Sequence, residues 1–223
     1  PHTLLAGLEA LLDKSLLRQA EWPSTRDEGE PRVLMLETLR EYGWALLAAA
    51  EVGDPVTQKR HADYFLCLAE TTALKLHGPH QVAWLDWLAL EHDNLRAALA
   101  WFVQANEVHK ALRLATALRY FWRVRGHYRE GCERLVYILA RPEAAPTGGP
   151  TDAVRARALN AVGYLQWVQG NTTAAQQLLQ EALTLGRAVA DAAATAFALR
   201  YLGLAADARQ ERATAHQWLA ESL

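Results

Sequence analysis

LNAVGYLQWVQGNTTAAQQLLQEAL, Leu159 to Leu183, and LRYLGLAADARQERATAHQWLAESL, Leu199 to Leu223, follow one pattern. Leu159, Gly163, Ala175, Leu179 and Ala182 fall at the same steps as Leu199, Gly203, Ala215, Leu219 and Ser222. The offset is 40 residues (203 − 163). Apolar residues recur at three- and four-residue steps, the period of a helix with one buried face. Small residues where two helices touch, large apolar residues between them and a turn glycine, Gly170, describe an antiparallel helical hairpin. One hairpin cannot bury its apolar face alone, so neighbours stack into a superhelix with a concave inner surface. The expected fold is mainly α.

The pattern weakens upstream. LRLATALRYFWRVRGHYREGCERLVYI, Leu112 to Ile138, has Gly126 at the turn, Gly131 at the small position and Leu135 at the large one. Arg119 stands where the other segments carry the helix-packing glycine, so this repeat is degenerate. Together the rows resemble tetratricopeptide repeats, whose usual period of about 34 leaves roughly six extra residues per repeat here. Further helices are expected from Pro55 to about Leu76, over QVAWLDWLAL, after a cap at Asp93, and from Val108 to Val124. YREGCERLVYILA pairs with the last of these. Loop Arg141–Thr151 is the clearest break in the chain.

The opening differs. In RVLMLETLREYGWALL, Arg32 to Leu47, an apolar strand to Leu36 runs into a helix from Glu37. SLLRQAEW supplies a second strand, paired with the first around the polar loop PSTRDEGEP. A helix precedes it, with Leu4, Leu5, Leu8, Leu11 and Leu12 on one face. Helix, hairpin, helix is the tail of a winged helix. A major-groove reader carries basic and amide side chains on the helix before the hairpin. This one offers Glu9, Asp13 and Lys14, so no direct nucleic acid contact is expected.

Bulk composition excludes several classes. A net charge of −2 and pI near 6.5 give no nucleic-acid footprint and no polybasic membrane patch. No apolar run approaches the roughly 20 residues of a membrane span, and nothing at the start looks like a signal peptide. A cytoplasmic protein without membrane partners is expected, read as a fragment of a larger one. Cys67 and Cys132 have no zinc-type spacing and are expected buried and reduced. His77 and His80 are the closest histidine pair, short of the three or four ligands a metal needs. No G-x-S-x-G, H-E-x-x-H or phosphate-cradling G-x-x-x-x-G-K-[ST] occurs, so no catalytic residue, metal or cofactor is assigned.

LDKSLLRQ, RVLMLETLREYGWALL, RHADYFLCLAE, WLDWLALEHDNLRAALAWF and ALRLATALRYFWRVRGHYREG, in that order, look like a recurrent series. It resembles the bacterial signal-transduction ATPases with numerous domains (STAND, NB-ARC), specifically their LuxR-type and maltose-activator-like transcription regulators. There a nucleotide-binding module ends in a winged helix, and a tetratricopeptide-like superhelix follows. The resemblance implies the end of a winged helix over residues 1–50, degenerate helical hairpins over 51–140 and tetratricopeptide-like repeats over 152–223. It implies a non-catalytic regulatory module whose parent binds ATP or ADP. Its partners would be the parent's own nucleotide-binding domain and an effector protein, peptide or small-molecule inducer. The family's Met-His-Asp phosphate-sensing signature falls on Met35, Leu36 and Glu37. Leu36 cannot donate to a phosphate, and Glu37 suits the positive end of its helix. The alternative is a scaffold that bridges proteins with no inducer.

In such hairpins the first helix lines the groove. Its inward positions project onto Arg113, Thr116, Tyr120 and Arg123, then Asn160, Tyr164 and Trp167, then Arg200 and Asp207. Aromatic and arginine side chains on one concave face have the composition of binding hot spots. Trp84, Trp87, Trp101 and Trp122 are assigned to the core.

Overall fold

The computed structural model describes residues 2–20, 32–49, 55–149 and 151–222. The chain divides into two compact units, Pro1–Arg60 and His61–Leu223.

In the first unit, helix α1 (His2–Asp13) leads into strand β1 (Leu17–Ala20), which pairs antiparallel with β2 (Arg32–Met35). Leu17 lies opposite Met35 and Ala20 opposite Arg32. Helix α2 (Glu37–Ala49) follows after Leu36 alone, so the strand-to-helix junction falls where the change of period puts it. The polar loop Pro23–Pro31 lies outside the described residues. Among the described residues, Leu5 is exposed and Leu8, Leu11 and Leu12 are half-buried.

Helix α3 (Pro55–Lys75) begins at the proline suited to a first helical turn and runs into the second unit. There follow α4 (Gln81–Leu90), α5 (His92–Gln104), α6 (Val108–Val124), α7 (Tyr128–Leu139), a single 3₁₀ turn (Pro142–Ala144), α8 (Thr151–Val168), α9 (Thr172–Ala188), α10 (Ala192–Ala208) and α11 (Arg212–Glu221). α6/α7, α8/α9 and α10/α11 are successive antiparallel hairpins. α6 packs on α8 and α8 on α10.

The hairpins close by one device. At five of the turns, α5–α6, α6–α7, α8–α9, α9–α10 and α10–α11, a residue with positive φ follows the helix: Asn106 (58°), Gly126 (78°), Gly170 (82°), Ala190 (54°) and Gln210 (64°). The next N–H then bonds back to a carbonyl in the preceding turn. His127 reaches Trp122 at 2.8 Å, Asn171 reaches Gln166 at 3.0 Å and Glu211 reaches Ala206 at 3.0 Å. This geometry satisfies carbonyls that the helix end leaves without donors.

Between helices the repeat is steric. A Cβ added at Gly163 would lie 2.7 Å from Leu179 Cγ, and one at Gly203 would lie 2.6 Å from Leu219 Cγ. Both glycines allow close approach of helix to helix. A core of Leu159, Leu179, Leu183, Leu199 and Leu202 joins the last two hairpins.

Loop 141–151, the expected break, lies inside the second unit and is tied down by side chains. Asp152 is 3% exposed and accepts from the amides of Thr147 and Gly148, each at 2.9 Å. Arg155 donates to the carbonyls of Leu139 and Ala144.

Four local expectations need correction. α5 starts at His92, so Asp93 is not its cap; it sits in the first turn and pairs with Arg96 at 3.3 Å. Glu91 precedes the helix and accepts from Asn94 Nδ2 at 2.7 Å. Cys132 is buried, and burial pushes its thiol up, but Cys67 is exposed. Trp87 and Trp122 are buried, whereas Trp84 and Trp101 are half-exposed.

Candidate functional site

A cavity of about 570 Å³ opens between α3, α6, α8 and α10. Its polar wall is Glu70, Arg113, Thr116, Arg119, Arg157 and Asn160. Leu74, Ala117, Val154, Ala194 and Phe197 supply apolar surface. The inner side of the stack is made from the first helices of the three hairpins, as the repeat requires.

Asn160 is 3% exposed, and its Nδ2 donates to the Ala194 carbonyl at 2.8 Å. A carbonyl oxygen cannot donate, so the amide must present its NH2 to it; this fixes the amide's orientation and leaves Oδ1 as a buried acceptor without a partner. Thr116 Oγ1 is likewise buried and unpartnered. An unmet buried polar group costs about 1–3 kcal/mol, so these two sealed atoms behind the cavity wall are a local cost to stability.

The charges divide into paired and unpaired. Arg113 grips Glu70 through two bonds of 2.8 and 2.7 Å. Arg157 Nε bonds Asp191 at 2.6 Å, and that aspartate also caps α10 by accepting from Ala194 N–H. Arg119 differs. It is partly buried, donates Nη1 to the Thr116 carbonyl at 3.1 Å, and pairs with no carboxylate among the described residues. Its guanidinium sits 5.4 Å over the Phe197 ring. Burial holds it below the usual arginine range, with Tyr164 and Tyr201 pulling the other way.

Next to the cavity stands an aromatic cluster. Tyr201 lies 4.9 Å from Tyr164, 5.5 Å from Trp167 and 4.7 Å from Phe197, ring centre to ring centre. Arg123 stacks 5.2 Å over Tyr120 and 6.0 Å over Tyr164. Burial, then Tyr201, pushes the Tyr164 phenol up to about 12, so it stays protonated and can donate.

The projected groove residues therefore separate into groups. Arg113, Thr116 and Asn160 line the cavity. Tyr164 and Trp167 belong to the aromatic cluster beside it, and Arg123 covers that cluster. Tyr120 holds the 76–81 loop instead: Gln81 Nε2 donates to its hydroxyl at 2.8 Å, and the His77 ring meets it at 4.6 Å. Arg200 is exposed, 6.0 Å from Tyr201, and exposed Asp207 does not reach the cavity. Glu70, Arg119, Arg157 and Phe197 were not projected. Two were recoverable. The turn glycines of the first two hairpins are 44 apart (170 − 126), so Arg113 maps onto Arg157, and the offset of 40 carries Arg157 onto Phe197.

Met35 and Leu36 are exposed at the strand-to-helix junction, and Arg40 N–H bonds the Leu36 carbonyl at 2.9 Å. Of Glu37 only the backbone, the first residue of α2, is described. Among the described residues no cluster of histidine, cysteine and acidic side chains could hold a metal. No helix among them is long and apolar enough to cross a membrane.

Fold and site define a class: stacked helical hairpins with a cavity of small-molecule size on the side their first helices line. Three curated relatives extend the comparison. Over 219 residues the chain is 34% identical to proteins of Mycobacterium bovis and of two Mycobacterium tuberculosis strains, CDC 1551 and H37Rv, each named "Putative HTH-type transcriptional regulator". The match takes in 96% of this chain but 24% of each relative, so the chain spans about a quarter of their length. No family model matches the chain.

Proposed function

We propose that this chain is the effector-receiving segment of a bacterial transcription regulator built as a signal-transduction ATPase. Its first unit would be the end of a winged helix and its second a tetratricopeptide-like sensor. The observation that carries the reading is the cavity with Arg119, a cation that no carboxylate among the described residues pairs, in its wall, on a chain similar over 96% of its length to proteins named as regulators. The chain itself would catalyse nothing. It would bind no metal or cofactor, and ATP or ADP would belong to the nucleotide-binding domain of the longer protein, located in the cytoplasm.

The mechanism follows from linkage. A ligand shifts a switch only by its difference in affinity for the two states. The cavity draws walls from three successive hairpins and α3, so filling it would favour one spacing of those helices. That preference would pass to the nucleotide-binding domain. The exposed Met35–Leu36 junction would face that domain without the phosphate-sensing donor, which another group would have to supply.

The test is transcriptional. Deleting the gene is expected to shift a discrete set of transcripts, which the intact gene restores and a Phe197→Ala allele restores without response to inducing conditions. An unchanged transcript profile in the deletion strain would overturn the reading.

A further inference from the structure

From the cavity's own chemistry we infer that it takes a small monocarboxylic acid with an apolar or aromatic body. This deepens the proposed effector reading and rests on it.

Charge sets the anion. The cavity's three guanidiniums, Arg113, Arg119 and Arg157, face two carboxylates, Glu70 and Asp191, that already occupy the first and third. One positive charge is left over (3 − 2 = 1), and it belongs to Arg119. A single surplus charge in a partly buried site matches a monoanion; a phosphate monoester near neutral pH would bring close to two. Arg119 keeps donors beyond the one given to Thr116, and guanidinium geometry suits the two oxygens of a carboxylate.

Phe197, under the Arg119 guanidinium and joined to Tyr164 and Tyr201, offers the flat surface for the ligand's body. A free small acid and the C-terminal residue of a peptide share this chemistry.

Calorimetric titration of the 223-residue chain tests it. The probes are N-acetyl-L-phenylalanine, its methyl ester, 3-phenylpropionate and a tetrapeptide ending in phenylalanine with a free carboxylate. Both free acids are expected to bind at least about tenfold more tightly than the ester. Arg119→Met is expected to erase the preference for acid over ester, and Arg119→Lys to keep part of it. A tetrapeptide stronger than the acetylated acid would identify a peptide C-terminus as the source; a weaker one would identify a free acid. Equal affinity for acid and ester in the parent chain, or no binding of the acid at millimolar concentration, would overturn the inference. The comparison of probes on the unsubstituted chain decides it even if the methionine variant fails to fold. The titration reads the cavity alone, so its failure leaves the transcript experiment standing, and the reverse also holds.

Discussion

Hairpins α8/α9 and α10/α11 lock in one direction, and α6/α7 locks in the other. In the former a glycine on the first helix, Gly163 or Gly203, receives a leucine from the second. In the latter the glycine is on the second helix: a Cβ at Gly131 would collide with the Trp122 ring and with Leu165. Reversing knob and hole changes what the first helix must supply. The position equivalent to Gly163 no longer has to be small, and Arg119 occupies it. What looks like decay of the repeat is the condition that puts a cation into the cavity.

The largest expected effect comes from filling a hole. Gly163→Val should cost about 3 kcal/mol, because Leu179 is buried and cannot retreat, and thermal unfolding should fall by roughly 2–4 °C for each kcal/mol in a chain of this length. Gly163→Val with Leu179→Ala should cost less than the two changes added together. Strict additivity would mean that the two side chains do not meet.

A second test concerns how α5 is fastened to α7. Arg96 bonds Glu130 through Nε at 2.8 Å and Nη2 at 2.6 Å, and Arg134 adds a contact at 3.1 Å. The Arg96 bond foremost holds the Glu130 carboxyl down at about 2, against an ordinary value of 4.5. A depressed carboxylate contributes stability that is complete above its unfolded value. That contribution should fade as pH falls from about 4.5 toward 2, by at most about 3 kcal/mol. Arg96→Met should flatten the acid limb of a plot of unfolding free energy against pH. An unaltered slope would remove Glu130 from the acid transition.

How legible the architecture was depended on which residues carried it. Gly163 and Gly203 announced the helix contacts because no other residue fits there. Gly126 and Gly170 marked two turns for a different reason, a positive φ that favours glycine without requiring it. The turns at Ala190 and Gln210 have the same backbone, yet neither residue advertises a positive φ. Arg119 misled in a different way: judged against glycine it read as a defect, whereas its surroundings make it a wall of the cavity. The buried orphans Thr116 Oγ1 and Asn160 Oδ1 depend on helix-to-helix distances that no spacing encodes.

Those unadvertised turns give a smaller, opposite effect. Ala190→Gly and Gln210→Gly should each stabilise by about 0.5–1 kcal/mol, since the left-handed region strains a residue with a Cβ. The same exchange at Ala205, inside α10, should destabilise by about 1 kcal/mol. If turn and helix interior responded alike to glycine in thermal melts, the turn geometry would be wrong.

The smallest expected effect discriminates most. If Arg119 were a structural residue, its removal would cost as much as any broken buried pair, about 3 kcal/mol or more. It has no carboxylate to leave behind, and its exchange for methionine keeps the packing length while removing a cation from a partly buried place. Arg119→Met should therefore leave stability within about 0.5 kcal/mol of the parent or raise it slightly. Arg157→Met breaks a real pair and leaves the Asp191 carboxylate, whose side chain is 6% exposed, with the α10 cap alone, so it should destabilise more. Chemical denaturation of the two variants, side by side, separates an arginine held for folding from one held for a ligand.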